Sequence, residues 1–261
     1  MKPNGIITLS TDFGPKDNFV GIMKGVIYGI NPQARIVDIT HHIPPQNVNT
    51  ASFILNSSYG YFPDGTIHVV VVDPGVGSNR RILAVATDNY FFIAPDNQIL
   101  KYIFYKNETL TIVEVLNKTY FHKHISRTFH GRDIFAPVAA HLSNGVPIEA
   151  LGNVITDFDR GEIHKPIFLN KKIIGTIIHI DAFGNLITNI EEKDLSNKFL
   201  NIKIGKRILN NLSNSYAEVK IGEPLAIFGS SNFLEIAIRN GNAQRKLSLN
   251  IGDKIEVILS K

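Results

Sequence analysis

Residues 66–73 read Thr-Ile-His-Val-Val-Val-Val-Asp, and this stretch indicates the fold class. Its apolar side chains follow one another almost without a break, whereas a strand with one face in water alternates apolar and polar residues. Such a run is typical of a parallel sheet that helices cover on both faces. We therefore expect a buried parallel strand here, with Asp73 at its carboxyl end.

Strand and helix patterns alternate on both sides of this run. In the helix predicted next to the first strand, Val20, Met23 and Ile27 recur at helical spacing on one face. The alternation predicts an α/β domain over residues 1–165, a mostly parallel sheet with flanking helices. The predicted strands are 6–12, 35–40, 66–73, 82–87 and 90–94, and the predicted helices are 18–30, 47–59 and 133–142.

Two carboxylates end predicted strands of this domain. Asp12 ends the first strand, and Asp73 ends the apolar run described above. The carboxyl ends of parallel strands share one edge of the sheet, and open α/β sheets bind their ligands at that edge. We therefore expect both carboxylates to face a ligand-binding site.

From residue 171 onward the pattern changes to short apolar runs separated by Gly, Asn and Asp. No helical pattern lies among them, so we expect a smaller, barrel-like all-β domain over residues 171–261. The segment 161–170 is the predicted linker. The predicted strands of this domain are 173–180, 186–190, 200–204, 217–219, 225–228, 234–238 and 254–259.

Composition excludes several classes of function. The 261 residues include no cysteine, which excludes disulfides, thiolate catalysis and cysteine-ligated zinc. The net charge is only +4, without a dense block of Lys and Arg, so a nucleic-acid-binding protein is disfavoured. No signal-like segment opens the chain and no apolar run is long enough to cross a bilayer, so a cytoplasmic location is expected.

The first cluster that could carry chemistry is Asp73-Pro74-Gly75-Val76-Gly77-Ser78-Asn79-Arg80. Its glycines allow a tight turn, and Arg80 is close enough for the loop to fold back and pair it with Asp73. A structural turn in which Asp73 caps loop amides fits the same residues. The Gly-Lys-Ser/Thr element of a P-loop is missing.

The second cluster, Phe129-His130-Gly131-Arg132-Asp133, leads into a predicted helix. His130 stands just outside the helix start, where it can face a pocket, and Asp133 suits an N-cap or first-turn position. His141 lies within the helix and is expected to pack there.

Two histidine pairs, His41-His42 and His122 with His124, raise the possibility of a metal site. A three-ligand site needs further donors that the sequence does not point to. We therefore expect hydrogen-bonded or surface histidines, and no metal.

The third cluster runs from Asp181 to Asn189. Phe183 could stack on a flat ring, Asn185 could read an adenine edge, and Asp181 could bind an ammonium group. Phe-Gly-Asn is also common turn chemistry, so these residues alone do not separate a binding site from a β-turn.

Taken together, these motifs resemble the S-adenosyl-L-methionine (SAM) hydroxide adenosyltransferase family, relatives of the fluorinase and chlorinase enzymes. The resemblance extends over essentially the whole chain, since the motifs occur in the family's order and spacing. They are Thr11-Asp12-Phe13-Gly14, Asp73-Pro74-Gly75-Val76-Gly77 with Arg80, Ala94-Pro95-Asp96-Asn97, Phe129-His130-Gly131-Arg132-Asp133, Asp181-Ala182-Phe183-Gly184-Asn185 and the segment from Gly229 to Ala237.

The resemblance implies hydrolysis rather than halogenation. The family's hydrolases use an Asp–Arg–His set, which Asp73, Arg80 and His130 match, whereas its halogenases have a tyrosine at the position of Asp73. A carboxylate repels a halide ion but accepts a hydrogen bond from water. The implied reaction is attack of water on the ribose C5′ carbon of SAM, which releases adenosine and L-methionine.

The resemblance also implies which residues bind the substrate. Asp12 resembles the residue that holds the ribose hydroxyls, while Asp181 and Ser231 resemble those that hold the methionine amine and carboxylate. The implied adenine contacts are Phe183, Asn185 and the backbone near Ala237, and Glu235 of the same late segment completes the substrate-binding set.

Two residues depart from the family pattern. Gln46 stands where the halogenases have a tryptophan, and Gln98 replaces a glycine that is frequent after Pro-Asp-Asn. The first change bears on packing around the substrate, and the second is expected to affect only the loop.

The resemblance further implies a homotrimer, with each pocket formed by the first domain of one subunit and the second domain of its neighbour. No cofactor is expected, because the sulfonium is already an activated leaving group. Asp73 would orient the water and accept its proton, while Arg80 and His130 fix the carboxylate.

The alternatives are a SAM-dependent halogenase, disfavoured by Asp73 and His130, and a non-catalytic SAM or adenosine sensor, disfavoured because a sensor needs no water-activating set.

Overall fold

The structure, a computed structural model, describes residues 1–195, 199–205 and 207–259. The chain divides into two units, Met1–Ile163 and His164–Lys261. The predicted linker 161–170 includes a strand, Ile167–Leu169, which pairs with the strand that follows it. This strand was missed because an apolar run of three residues is too short to be recognised as a strand.

The first unit contains a seven-stranded sheet with helices. Its strands are β1 (Ile6–Thr11), β2 (Arg35–Thr40), β3 (Ile67–Val71), β4 (Ile82–Ala86), β5 (Phe91–Pro95), β6 (Thr111–Val115) and β7 (Gly152–Val154). Its helices are α1 (Phe19–Ile30), α2 (Val48–Ser58), α3 (Lys101–Lys106) and α4 (Ala136–Ser143).

The strand order is β2-β1-β3-β5-β4-β6-β7. The first four strands in this order are parallel neighbours, while β4, β6 and β7 add antiparallel pairs at one side. The predicted α/β class is confirmed. The sequence patterns did not predict β6, β7 or α3.

Strand β3 lies between two apolar layers, as its composition predicts. Val69 and Val71 belong to the core that includes Met23 and Ile27 of α1 together with the apolar side chains of α4. Val70 belongs to the core on the other side, which includes apolar residues of α2 and α3. Because the side chains of a strand alternate between its faces, a strand that is apolar at nearly every position contributes side chains to both layers.

The helix predicted over 133–142 begins with a widened, π-helical turn at Gly131–Phe135 and continues as α4. Pro137 has no N–H, so it cannot donate to the carbonyl of Asp133 four residues earlier. That carbonyl instead accepts a hydrogen bond from the backbone N–H of His122 at 2.8 Å. The proline thus frees a backbone acceptor that ties down the preceding loop.

The second unit is an antiparallel sheet, with one short α-helix among the residues that the structure describes. Its strands are β8 (Ile167–Leu169), β9 (Lys172–Ile180), β10 (Leu186–Glu191), β11 (Phe199–Ile204), β12 (Arg207–Leu209), β13 (Pro224–Phe228), β14 (Phe233–Ile238) and β15 (Lys254–Leu259). The order is β12-β11-β15-β9-β10-β14-β13, and β8 pairs with β9. Leu212, just after β12, forms a bridge with Ala226 of β13, so the sheet is nearly closed, as the barrel-like prediction requires.

Two predictions for this unit were wrong. The strand predicted at 217–219 is a 3₁₀ turn, Tyr216–Glu218. Its backbone carbonyls are satisfied by a side chain rather than by a neighbouring strand, because Arg239 Nη1 donates to the carbonyls of Ala217 and Val219 at 3.1 and 2.6 Å. A helix not expected from the sequence, α5 (Ala243–Leu247), is too short to show a helical period.

Within the described part of the chain, no helix is both long and apolar enough to span a membrane.

Candidate active site

Strands β1 and β3 place Asp12 and Asp73 at the same edge of the first sheet. The two strands are parallel neighbours, and Thr11 lies opposite Val71. Asp12 follows Thr11 directly, and its Oδ2 accepts a hydrogen bond from the backbone N–H of Gln46 at 2.8 Å. The carboxyl edge of the sheet therefore carries both acidic residues, as the strand pattern predicts.

The loop after β3 folds back so that Arg80 pairs with Asp73. Arg80 Nε lies 2.9 Å from both carboxylate oxygens of Asp73, and Nη2 lies 2.5 Å from Oδ2. The two side chains are only 12% and 6% exposed. A guanidinium that contacts both carboxylate oxygens fixes the carboxylate plane, and screening by water is weak at this burial.

His130 joins this pair. Arg80 Nη2 lies 2.8 Å from His130 Nδ1. A guanidinium can only donate, so Nδ1 accepts and the proton of the neutral ring sits on Nε2. Burial lowers the pKa of His130, and the Arg80 charge lowers it further, against the opposing effect of Asp73. The site thus holds a neutral imidazole and a carboxylate on either side of one guanidinium.

The loops that carry Arg80 and His130 touch at Gly77. The backbone of Gly77 has a φ of +78°, and a Cβ built there would lie 2.3 Å from the carbonyl oxygen of Arg127. Any other residue would be strained in conformation and would also collide with backbone. Glycine at this position therefore permits the approach of the two loops.

Asp133 anchors the loop before His130. It is fully buried, and its carboxylate accepts hydrogen bonds from the backbone N–H of Ser126 at 2.7 Å and from Arg132 Nε at 2.6 Å. Burial alone would raise the pKa of Asp133, but the hydrogen bonds from Arg132 and Ser126 outweigh it and lower the pKa. Asp133 stands in the first helical turn as predicted, yet it binds an amide of the preceding loop instead of the helix amides.

In the second unit, Asp181 closes the turn that contains Phe183 and Asn185. Asp181 Oδ1 accepts from the backbone N–H groups of Phe183 at 2.9 Å and Asn185 at 2.8 Å, while Oδ2 accepts from Asn185 Nδ2 at 3.0 Å. The backbone N–H of Gly184 also donates to the carbonyl of Asp181 at 3.0 Å, so the β-turn that the sequence left open is present. It also leaves the Phe183 side chain 77% exposed, as a stacking surface needs, while Asn185 is buried.

Glu235 and Ala237 are buried in β14, beside the strand that follows this turn. Ile187 of β10 pairs with Glu235. Tyr216 donates to Glu235 Oε1 at 2.6 Å. Burial raises the pKa of Glu235, the hydrogen bond from Tyr216 opposes this, and the charge of Asp181 adds to it.

Ser231 lies in the tight loop between β13 and β14, which is closed by hydrogen bonds between the backbones of Gly229 and Phe233 and of Asn232 and Gly229. The second unit therefore groups Asp181, Asn185 and Glu235 closely, and it places Ser231 beyond the opposite end of β14 from Ala237.

Two further histidines have side-chain contacts within the first unit. His41 Nδ1 lies 2.9 Å from Thr11 Oγ1, and the His141 ring packs 5.1 Å from that of Tyr120. Among residues 1–195, 199–205 and 207–259, no group of three His, Asp or Glu side chains is arranged to hold a metal ion.

The two departures from the family pattern share a backbone feature. Gln46 and Gln98 have φ angles of 63° and 74°. Glycine reaches this region without strain, so the glycine that the resemblance implies at the position of Gln98 would fit this backbone.

Sequence reasoning missed two kinds of supporting residue. Asn97 donates to the carbonyl of Val72, and its motif was noted only for the resemblance. Its position after β5, the sheet neighbour of β3, was the available signal. No sequence signal pointed to Tyr216, because its partner Glu235 is 19 residues away in the chain.

Family comparison gives one match in each unit. The SAM hydroxide adenosyltransferase N-terminal domain matches residues 7–152, and the SAM hydroxide adenosyltransferase C-terminal domain matches residues 175–256.

Several proteins resemble the chain over nearly its full length. An (R)-S-adenosyl-L-methionine hydrolase from Methanocaldococcus jannaschii is 35% identical, with 97% of this chain and 95% of that protein covered. One from Thermus thermophilus is 32% identical, with 95% and 97% covered. A fluorinase from an Actinoplanes species is 28% identical, with 79% and 78% covered. The crystal structure of an uncharacterized conserved protein from Thermotoga maritima matches with a TM-score of 0.90 at 38% identity, covering 97% of this chain and 99% of that one.

Proposed function

Because the chain belongs to the SAM hydroxide adenosyltransferase family, we propose that it hydrolyses S-adenosyl-L-methionine to adenosine and L-methionine. The observation that carries this proposal is the contact of Asp73 and Arg80, which share one loop, with His130, which lies 50 residues beyond Arg80 in the chain. A carboxylate in this setting can accept a hydrogen bond from water. Where a halogenase has a tyrosine, this chain has the carboxylate, which a halide ion would avoid.

In the proposed reaction the water oxygen forms a bond to the ribose C5′ carbon while the C5′–S bond breaks. The electron pair of that bond returns to sulfur, which leaves as the neutral thioether of methionine. The total charge is conserved, because the sulfonium loses its positive charge and the water releases a proton. The reaction needs no cofactor, because the leaving group is already activated.

Asp73 is the proposed acceptor of the water proton. Nδ1 of His130 is occupied by the Arg80 guanidinium, so this imidazole does not supply the base at that nitrogen. Arg80 and His130 instead orient the carboxylate. Positioning of this kind can contribute about 7–11 kcal/mol to lowering a barrier, so geometry can compensate for a weak base.

The proposed substrate contacts divide between the units. Asp12, at the same sheet edge as Asp73, would hold the ribose hydroxyls. Phe183, Asn185 and the backbone at Ala237 would hold adenine, and Asp181, Ser231 and Glu235 would hold the amino-acid end. The exposed Phe183 ring and the buried Asn185 amide support the adenine assignment.

We further propose a homotrimer in which the first unit of one subunit and the second unit of its neighbour form each site. The β8 strand supports an assembled state, because its three consecutive apolar residues, Ile167, Phe168 and Leu169, are 56%, 58% and 46% exposed. Contiguous apolar surface of this kind marks protein contacts. The cytoplasmic location expected from the sequence stays a prediction.

The test is incubation of purified protein with SAM in halide-free, ¹⁸O-labelled water, followed by mass spectrometry of the nucleoside. Adenosine with ¹⁸O at its 5′ oxygen, and loss of this product in Asp73→Ala, would support water attack at C5′ and the role of Asp73. Intact SAM after long incubation with folded, assembled protein would contradict the proposal and favour a SAM sensor.

A further inference from the structure

Two consecutive residues after β5 hold both ends of the loop that carries Asp73 and Arg80. Asn97 Nδ2 donates to the carbonyl of Val72, the residue directly before Asp73, at 3.0 Å. At the other end, the backbone N–H of Asp96 donates to the carbonyl of Arg81 at 2.9 Å. The guanidinium of Arg81 in turn contacts Asp96 Oδ2, with Nε at 3.0 Å and Nη2 at 2.9 Å.

The sheet order explains why these contacts form. The loop connects β3 to β4, and β5 lies between these two strands in the sheet. Val69 of β3 is opposite Ile93, and Ile82 of β4 is opposite Pro95. The loop therefore crosses the carboxyl end of β5, where Asp96 and Asn97 emerge.

Burial makes the Asp96 contact the stronger of the two that Arg81 makes. The Asp96 side chain is 5% exposed, whereas Asp157, the second partner of Arg81, is 84% exposed. An exposed ion pair contributes little, because water and salt screen it. Asp96 Oδ1 is also held, since it accepts from the backbone N–H of Asp159 at 2.9 Å.

The Asn97 amide is oriented by Val72. The oxygen of this amide, Oδ1, is buried and has no hydrogen-bond partner among the described residues. An alanine at position 97 would therefore remove the hydrogen bond to the Val72 carbonyl.

We propose that Asp96 and Asn97 are positioning residues that fix the 73–81 loop, so that Asp73 and Arg80 keep their orientation toward the attacking water. The inference rests on the proposed function for its catalytic consequence, while the mechanical part concerns the loop alone. Asp96 and Asn97 act through the backbone of the loop and need no contact with SAM.

The first experiment compares steady-state kinetics of Asn97→Ala and Asp96→Asn with the wild-type protein. We expect kcat to fall roughly 10- to 100-fold in each variant, because small displacements of reacting groups are costly, while KM for SAM changes little. Glu256→Gln is the control for loss of an ion-pair carboxylate away from the loop, because Glu256 pairs with Lys172 at 3.0 Å in the second unit. Its kcat should equal that of the wild type.

A second comparison separates positioning from general destabilisation. If Asp96 and Asn97 act only through Asp73 and Arg80, adding Asn97→Ala to Asp73→Asn should cause no further loss of kcat. A further loss as large as that of the single variant would overturn the proposal. Should Asn97→Ala fail to fold, Arg81→Lys tests the other end of the loop by the same comparison.

The third readout does not depend on activity. Amide hydrogen exchange followed by mass spectrometry should show faster exchange in Asp96→Asn in peptides that cover residues 73–81, with any other change limited to the segment around Asp159, whose N–H Asp96 also binds. Unchanged exchange in residues 73–81 would overturn the proposal. If the wild-type protein leaves SAM intact, the proposed function fails, yet the exchange result still decides whether these residues fix the loop.

Discussion

The nitrogen of His130 that faces Arg80 determines what this histidine can do. Because the guanidinium donates to Nδ1, the ring is held neutral with its proton on Nε2. The imidazole then serves as a hydrogen-bonding partner that stiffens Arg80, which in turn holds Asp73. The set differs in this respect from a Ser–His–Asp triad, in which the histidine itself takes up the proton.

A titration of His130 tests this arrangement. Burial and the Arg80 charge lower the pKa of His130 from its ordinary 6.5, so the ring should protonate only below that pH. Protonated Nδ1 cannot accept from Arg80, so kcat should fall as the pH drops through the lowered pKa. Nitrogen-15 NMR of the ring measures the titration directly. In Arg80→Met the pKa should rise toward 6.5, and a wild-type value above 6.5 would contradict the assignment.

His68 predicts a separate pH dependence, of stability rather than activity. It is 1% exposed in β3, with Nδ1 2.9 Å from Thr8 Oγ1 and aromatic rings around it. Burial lowers the pKa of His68 to about 3, whereas the unfolded chain takes up this proton near 6.5. The unfolded state binds more protons between these values, so acid favours it.

The free energy of unfolding should therefore fall by about 1.4 kcal/mol per pH unit from this residue, once the pH is well below 6.5 and until it reaches about 3. Denaturant titrations at several pH values measure the slope, and His68→Asn, which can still bond Thr8, is the comparison. An identical slope in the variant would show that His68 is not responsible.

At the scale of elements, the site depends on two loops that meet through one glycine. Replacing Gly77 by alanine should destabilise the fold by about 1–3 kcal/mol, because φ there is +78° and the Cβ would collide with the carbonyl of Arg127. The collision should also separate Arg80 from His130 and lower kcat.

Gly25→Ala is the control for this substitution. Gly25 is an exposed residue of α1, and a Cβ there meets nothing within 4 Å. Alanine favours the helix by about 0.5–1 kcal/mol over glycine, so this variant should be as stable as the wild type or more so. Thermal unfolding and adenosine release measure both variants. If Gly77→Ala were as stable as the wild type, the prediction would be wrong, because the two loops could then move apart without a loss of folding free energy.

At the scale of the whole molecule, the proposed trimer predicts complementation between inactive subunits. Asp73→Asn damages the first unit, and Asn185→Ala damages the second. In trimers mixed at random, about a quarter of the sites would combine an intact first unit with an intact second unit from a neighbour. Co-refolded mixtures should then recover about a quarter of the wild-type kcat per site. Mixtures as inactive as the separate variants would exclude sites shared between subunits.

The sequence by itself determined the α/β class of the first unit and the barrel-like β class of the second, and it supplied the residues proposed as reacting groups. The run at 66–73 predicted β3 because a strand covered on both faces must be apolar on both, which is a local property of composition. Asp12 and Asp73 were predicted to share an edge because parallel strands align their carboxyl ends. The pairing of Arg80 with Asp73 could also be predicted from the sequence, since only seven residues separate them.

Only the tertiary structure decided how these groups are held. His130 lies 50 residues from Arg80 in the chain, and Asn97 lies 25 from Val72, so no local pattern encodes either contact. The strand predicted at 217–219 was wrong for the same reason, because a distant arginine satisfies its carbonyls. Local periodicity reports which face of an element is buried. Side-chain partners and tautomers depend on which distant elements the sheet order brings together.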